Sequence, residues 1–505
     1  MLFVLILFNT YIIINQIKYM IVNIEQADKL VEGQLSKELI ISYVNKTGTI
    51  SYLRYSVPPS QMFNWVYTNN VNDADLTYMS WDNKKIKKIP TKYLSNHRIY
   101  EILNDLGDSV SCLYEFNMPK TSFCDIEVDV DENGFPEADT ALNKINTISW
   151  AQYPNIYVFG NKQLNADEIS KIQLDIDKHC EKFKVKYNFT YIYHENEADM
   201  LYDFLYNYMR HAPAVTGWNF WGYDWPYIVN RCNNLNLDIN WLSPSGTWKR
   251  GHRYETKIRV GYIDLPLHKL IYDYLMIYLK WDTSVEIKEN NTLDFVANAV
   301  LDVKKVQHQL GFIEMYKQNY IEYVFYNAID SILVEQIDKK IKTSSVFLGL
   351  ANLTKVEAIS AFSPVNMMHV VMGNYAYKNK RVFPKVNRKN ESEGYEGAFV
   401  YEPIPNVYKW VVCLDFASLY PTTMRQFNIS PENFIKKDKS YTPKADELKC
   451  VSGAVFKNDK KYMLPEILDD FYAKRKAYKK EMKIASQELA ELEEILEQRK
   501  NSINI

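Results

Sequence analysis

The 505-residue chain holds six cysteines, and no two of them form a Cys-x-x-Cys pair. Neither a zinc knuckle nor a disulfide scaffold is suggested, and the thiols read as ordinary buried groups of a reducing compartment. Charge of one sign is not in excess either. Lys plus Arg number 60 and Asp plus Glu 62, a formal net charge of −2. No global basic surplus advertises nucleic acid, although a local basic channel is compatible with that sum. A fixed-period repeat and a low-complexity tract are both absent, which excludes solenoids and disordered repeats. At the N-terminus, Met1–Ile14 is apolar but broken by Asn9, Thr10 and Tyr11. It is shorter than the about 20 residues of a membrane span. It has no basic start and no small-residue cleavage site, unlike a secretory signal. We therefore expect residues 1–19 to be an extension, with Met20 as the true start, and no membrane partner.

What remains is globular. Apolar residues make up 47% and charged residues 24%, and the 39 Tyr and 10 Trp are a heavy aromatic load. At about 100–200 residues per domain, this length implies three or more domains. From Ile21 to about Met118, β-like runs such as Leu39–Val44 alternate with polar turns such as Asn45–Gly48, as in a mixed α/β lobe. Between about Lys120 and Thr343, strands and helices alternate. Asn379–Gly394 is polar and charged, a linker or exposed crossing. Trp410–Leu414 is strand-like. Leu464–Lys500 is rich in Lys, Glu, Ala and Leu and predicts a long helix or helix pair, with Leu489, Leu492 and Leu496 on one face.

Three motifs offer carboxylates. In Phe123-Cys124-Asp125-Ile126-Glu127-Val128-Asp129, a strand would bury Cys124, Ile126 and Val128 and set Asp125 and Glu127 side by side on the other face. Such a pair repels itself unless a cation intervenes, and oxygen ligands favour magnesium or manganese. In Thr216-Gly217-Trp218-Asn219-Phe220-Trp221-Gly222-Tyr223-Asp224-Trp225-Pro226, Pro226 fits a first helical turn and Asp224 the position before it, where a capping role is the simpler explanation. In Tyr326-Asn327-Ala328-Ile329-Asp330, Tyr326 and Asp330 are four apart and share a helix face.

In this order and spacing, the three motifs resemble Exo I, Exo II and Exo III of the DEDDy 3′–5′ exonucleases, in the form carried by family B DNA polymerases. The resemblance implies that Asp125, Glu127, Asp224 and Asp330 hold two divalent ions, Mg2+ or Mn2+, and that Tyr326 positions the attacking water. Asn219 and Phe135, the latter in Gly134–Glu137, match residues near the single-stranded primer end.

Further on, Leu414-Asp415-Phe416-Ala417-Ser418-Leu419-Tyr420-Pro421 is similar to polymerase motif A, close to the form in T-even-type phage replicases. Asp415 matches a magnesium-binding palm aspartate, and Tyr420 the gate that excludes a 2′-hydroxyl. Tyr395–Val400 resembles the turn between exonuclease and palm. Lys474–Lys480 looks like the first fingers helix, with Arg475 and Lys479 toward the incoming dNTP. Motifs B and C do not occur in the 505 residues.

The resulting expectation is a mixed α/β multidomain chain with an RNase H-like exonuclease domain, an N-terminal lobe and a partial palm and fingers. The expected limits are 20–119 for the N-terminal domain, 120–345 for the exonuclease, 346–394 for the return segment of the N-terminal domain and linker, 395–462 for the palm start and 463–505 for the fingers start. The resemblance implies a DNA-directed DNA polymerase, split or partial, with primer-template, single-stranded DNA and dNTP as ligands. A second chain would bring motifs B and C and the thumb, and with them the palm metal. A sliding clamp and other replisome proteins would be further partners, and a phage-encoded protein would sit in the bacterial host cytoplasm. The alternatives are a stand-alone exonuclease and a non-catalytic nucleic-acid-binding subunit.

Overall fold

The computed structural model describes residues 20–31, 33–107, 118–130, 134, 136–255, 260–281, 290–303, 311–385, 401–416 and 418–503. The N-terminal part opens with β1 (Met20–Val31), β2 (Gln34–Val44) and β3 (Ile50–Ser56), an antiparallel meander in that order. The expected Leu39–Val44 run is the buried half of β2. Strands β4 (Phe63–Tyr67), β5 (Met79–Ser80) and β6 (Ile86–Pro90) follow, with β4 and β6 paired antiparallel. Helix α1 (Asn96–Leu106) starts at Ser95, whose side chain accepts from the Arg98 N–H at 3.2 Å, the usual relief for an unpaired first-turn donor.

A buried polar knot ties this lobe together. Trp65 Nε1 and Arg98 Nη1 both donate to Glu101 Oε2 at 2.9 Å. Arg98 and Glu101 are each 4% exposed.

The centre of the chain is a six-stranded mixed sheet of the RNase H-like kind. Its strands are β7 (Thr121–Val128), β8 (Ile145–Gln152), β9 (Asn155–Gly160), β10 (Asn188–Tyr193), β11 (Ala214–Thr216) and, past the antiparallel pair β12 (Trp248–Glu255) and β13 (Val260–Pro266), β14 (Leu270–Ile271). The order is β10-β9-β8-β7-β11-β14. β8 runs antiparallel to β7 and β9, while the outer pairs are parallel. A bulge lies where Glu127 faces Thr147 but Val128 faces Ile145. Bulges recur where a side chain must be re-aimed.

Helix α2 (Ala166–Cys180), capped reciprocally by Asn165 and Glu168, leads to β10. Helix α3 (Asp224–Asn234) follows β11, and its Arg231 grips Glu197 through Nε at 2.8 Å and Nη2 at 2.7 Å. Helix α4 (Tyr320–Ile341) lies across β7 and β8, with every residue from Tyr323 to Ile337 buried. Ser331 Oγ meets Ser149 Oγ of β8 at 2.6 Å, and Glu335 accepts from the Tyr187 hydroxyl at 2.6 Å and the Tyr153 N–H at 2.9 Å. These contacts fix the helix over the sheet.

Helix α5 (Pro364–Lys378) returns to the N-terminal lobe. Asn104 Nδ2 donates to Asn374 Oδ1, and the Tyr377 hydroxyl donates to Asp105, both at 2.8 Å. β15 (Arg381–Val382) then pairs with β5, so the start of the polar Asn379–Gly394 stretch is a paired edge rather than a free crossing.

Trp410–Leu414, expected as a strand, forms none. Residues 401–416 are irregular and exposed, with Trp410 at 95% and Leu414 at 89%. β-propensity expresses packing against neighbours, and no described strand lies beside this run. Helix α6 (Leu419–Gln426) follows, then a small sheet of β16 (Phe434–Lys437), β17 (Glu447–Lys449) and β18 (Ala454–Lys457). The chain of elements ends in α7 (Met463–Ile503), a single helix of 41 residues and about 60 Å. Arg425 of α6 pairs with Asp469 of α7. At its start, Met463 N donates to Glu432 Oε1 at 2.6 Å and Leu464 N to Ser430 Oγ at 3.2 Å. No helix among the described residues is long and apolar enough to cross a membrane.

The knot around Glu101 makes a stability prediction. Glu101→Ala leaves the Arg98 guanidinium and the Trp65 indole N–H buried without their acceptor. We expect a loss of about 3–5 kcal/mol in urea unfolding. A loss below about 1 kcal/mol, the range of an exposed pair, would contradict it.

Candidate metal centre

Strand β7 alternates as its sequence requires. Cys124, Ile126 and Val128 are buried on one face, at 1%, 5% and 3% exposure. Asp125 and Glu127 stand on the other, beneath α4. Asp330, projecting from α4, completes a group in which one oxygen of each of the three carboxylates lies within 4.8 Å of the others. Glu127 and Asp330 are buried, Asp125 partly so.

Asp224 reaches the same strand from the head of α3. The chain leaves β11 at Thr216 and turns at Asn219, which sits at φ +57°. The N–H groups of Gly222 and Tyr223 donate to the Asn219 carbonyl at 2.8 and 3.0 Å. Just before this turn, a Cβ on Gly217 would come within 2.2 Å of the Cys124 carbonyl oxygen, so the chain leaving β11 needs glycine there. Asp224 is the first residue of α3, not the residue before it, and Tyr223 takes the capping position. The Asp224 carboxylate accepts from its own N–H at the helix start, and it also reaches the neighbouring strand. Its Oδ1 accepts from the Ile126 N–H at 3.1 Å, between the two acids of β7.

The electrostatics are those of carboxyls taken out of water, with neighbouring like charges adding to the effect. Asp224 is buried, and its carboxyl is pushed up to about 8, first by burial and further by the charges of Asp273 and Asp330, against the pull of the Ile126 N–H. An all-oxygen, all-anionic donor set of this density fits a hard divalent cation such as Mg2+ or Mn2+.

Two participants escaped sequence reasoning. Asp273 Oδ2 accepts from the Trp221 N–H at 2.9 Å, and its Oδ1 accepts from the Met276 N–H at 3.0 Å. It thus caps the helix Tyr274–Trp281 and pins the turn that presents Asp224. An aspartate placed three residues before a helical N–H was the available signal. Asn327, beside Tyr326, donates from Nδ2 to Asp125 Oδ2 at 2.8 Å. No pattern in the sequence marks it.

Tyr326 is buried one turn before Asp330 on α4. Asn219 is exposed at the head of its turn. The Tyr223 hydroxyl donates to the Pro136 carbonyl at 3.1 Å, tying Pro136 to this turn. Phe135 itself and Tyr395–Val400 lie outside the described residues.

Asp415 is exposed in the irregular 401–416 run, and Tyr420 is 65% exposed on α6. Arg475 is partly buried and Lys479 exposed on α7. Among the described residues, no metal-sized group of donors includes Asp415.

Residues 63–260 match the model for the exonuclease domain of DNA polymerase family B, and residues 366–505 match the DNA polymerase family B model. The chain belongs to DNA polymerase family B. This family B chain is 27% identical to the DNA-directed DNA polymerase of Escherichia phage RB69, over 82% of its own length and 46% of the relative's. It is 26% identical to the DNA-directed DNA polymerase of Enterobacteria phage T4, over 77% and 45% respectively. A DNA polymerase of Archaeoglobus fulgidus is 27% identical over 59% of the chain. The family B chain thus spans a little under half the length of the phage relatives it matches.

A pH dependence follows from the buried acids. Burial pushes Asp224 up to about 8, and Asp273 and Asp338 up to about 6, from an ordinary 3.8. The folded protein therefore holds these protons more tightly than the unfolded chain. That contribution is complete below about pH 4 and is lost as pH rises through the folded values. With chelator present, the melting temperature contribution of these groups falls between about pH 4 and 8, and Mg2+ at pH 8 restores stability. The effect is read as the difference between Asp224→Asn and the unaltered chain. Identical pH profiles for the two would contradict it.

Proposed function

We propose that this chain carries a 3′–5′ exonuclease acting on single-stranded 3′ ends of DNA, within a DNA-directed DNA polymerase of the phage type. The observation that carries this reading is the gathering of Asp125, Glu127 and Asp330 within 4.8 Å, with Asp224 bonded into the same strand. Family membership supports it, as does the similarity to the DNA-directed DNA polymerases of the two phages.

The four acids would hold two divalent ions, Mg2+ or Mn2+. When bound, such ions supply an activated water and neutralise the charge on the leaving oxygen. The chain's own groups do the rest. The carboxylates fix the geometry and exclude other anions from the site. Tyr326 directs its hydroxyl at the attacking water. The water oxygen forms the new bond to phosphorus, and the bond from phosphorus to the preceding 3′ oxygen breaks. A nucleoside 5′-monophosphate leaves, and the released 3′ oxygen takes a proton. Asn219 and Phe135 meet the frayed end of the strand.

For synthesis, Asp415 is one palm carboxylate, Tyr420 the sugar gate, and Arg475 and Lys479 the cations for the dNTP phosphates. Nucleotide addition needs carboxylates on both sides of its ions. The second set comes from outside these 505 residues, in a continuation or in a second chain with motifs B and C and the thumb. The exposure of Asp415 favours this division, with trimming available from the residues in hand and synthesis only on complementation. The division into an N-terminal lobe, 120–345 exonuclease, 346–394 return, 395–462 palm start and 463–505 fingers start belongs to the same reading. So do primer-template DNA, a sliding clamp and replisome proteins as partners and the bacterial host cytoplasm as location.

The test is shortening of a 5′-labelled single-stranded oligonucleotide. We expect a ladder receding from the 3′ end, dependent on Mg2+ and abolished by chelator. The Asp125→Ala, Glu127→Ala double variant should be slower by about 1,000-fold, the several kcal/mol that lost ions would cost. Undiminished cleavage by the double variant would contradict the assignment.

A further inference from the structure

Asn327 is a polar side chain at 0% exposure on the face of α4 that meets β7. A buried amide is costly unless its groups are paired. Its Nδ2 makes two contacts, both with Asp125: 2.8 Å to Oδ2 and a longer 3.4 Å to the main-chain oxygen. Its Oδ1 is buried and finds no hydrogen-bond partner among the described residues. An apolar residue of the same size would serve the core better, since an unsatisfied buried oxygen costs about 1–3 kcal/mol. The side chain is therefore placed for what it does to Asp125, not for the stability of α4.

We propose that Asn327 is a positioning residue for the metal centre, acting through Asp125. This rests on the exonuclease reading above. An ionised carboxylate can only accept, so the amide nitrogen must face it. Gripping Oδ2 and the main-chain oxygen together fixes the rotation of the carboxylate about its own backbone. One oxygen of that carboxylate lies within 4.8 Å of an oxygen of Glu127 and of Asp330.

The neutrality of the donor matters. A lysine or arginine at this position would also bond Asp125, but it would supply the positive charge that the cluster reserves for a metal ion. An aspartate would add a further negative charge and bring no donor. Asparagine is the side chain that orients the ligand and leaves its charge uncompensated. Partners that orient metal ligands typically contribute about 10–100-fold in metal affinity.

The experiment is calorimetric titration of Mn2+ into the metal-free chain and into Asn327→Leu, a near match in size without a donor, and Asn327→Ala. Circular dichroism confirms the fold of each. We expect Mn2+ affinity about tenfold weaker in both variants, with oligonucleotide shortening reduced and recovered at raised Mn2+. Asn327→Lys, which keeps a donor but fills the charge, should fold and lose Mn2+ binding altogether. Affinity within twofold of the unaltered chain in Asn327→Leu and Asn327→Ala would overturn the role of Asn327 while leaving the exonuclease reading intact. Absence of Mn2+ binding by the unaltered, folded chain would overturn both. Failure of both the Leu and Ala variants to fold would also count against the proposal, because a positioning residue leaves its helix packed.

Discussion

The constraint on which this structure turns is the crowding of like charges. Asp125, Glu127 and Asp330 offer oxygens within 4.8 Å of one another, and Asp224 sits against the same strand. Water cannot dilute the repulsion, because most of these groups are buried. Carboxylates so placed must share protons or surrender their charge to a cation. The rise of Asp224 to about 8, caused first by its burial and then by the charges of Asp273 and Asp330, is the protonic answer in the metal-free chain. Divalent ions are the other, and the chemistry proposed here depends on that second answer.

Holding such a cluster demands rigidity from the elements that carry it. The acids arrive from three places: strand β7, the head of α3 and the middle of α4. Each is tied down separately. α4 is buried along fifteen consecutive residues and joined to the sheet through Ser149, Tyr153 and Tyr187. The turn before α3 is held by Asp273 and by the two N–H groups that donate to the Asn219 carbonyl. α3 is clamped by the two-pronged bond between Arg231 and Glu197. The free energy of a large core is spent on keeping a few oxygens where repulsion would drive them apart. The motif A region shows the contrast. Asp415 lies in an exposed irregular run, with no described strand to order it, and among the described residues it joins no group of three or more metal-sized donors.

Legibility in the sequence followed the periodicities. The alternation of Cys124, Ile126 and Val128 with Asp125 and Glu127 is a strand signal, and the structure reproduces it. The spacing of Tyr326 and Asp330 is a helix signal, and both lie on α4. The long terminal helix was equally visible from its composition. Asp224 was placed correctly near a helix start, but its partner was not visible, because the Ile126 N–H is distant in sequence and a cap is the local explanation. Asn327 was invisible for a different reason. On a helix buried all round, polar and apolar positions follow no stripe, so nothing distinguishes a buried amide with a task from one that merely packs. Trp410–Leu414 misled because its β-branched character describes a strand only when another strand lies beside it.

The most direct test of this account is anomalous X-ray scattering from crystals of the chain grown with Mn2+. The account predicts manganese bound among Asp125, Glu127, Asp224 and Asp330, with an Asp125 oxygen and an Asp330 oxygen as ligands. Manganese elsewhere on the surface with none at these four residues, in crystals where their side chains are ordered, would contradict it.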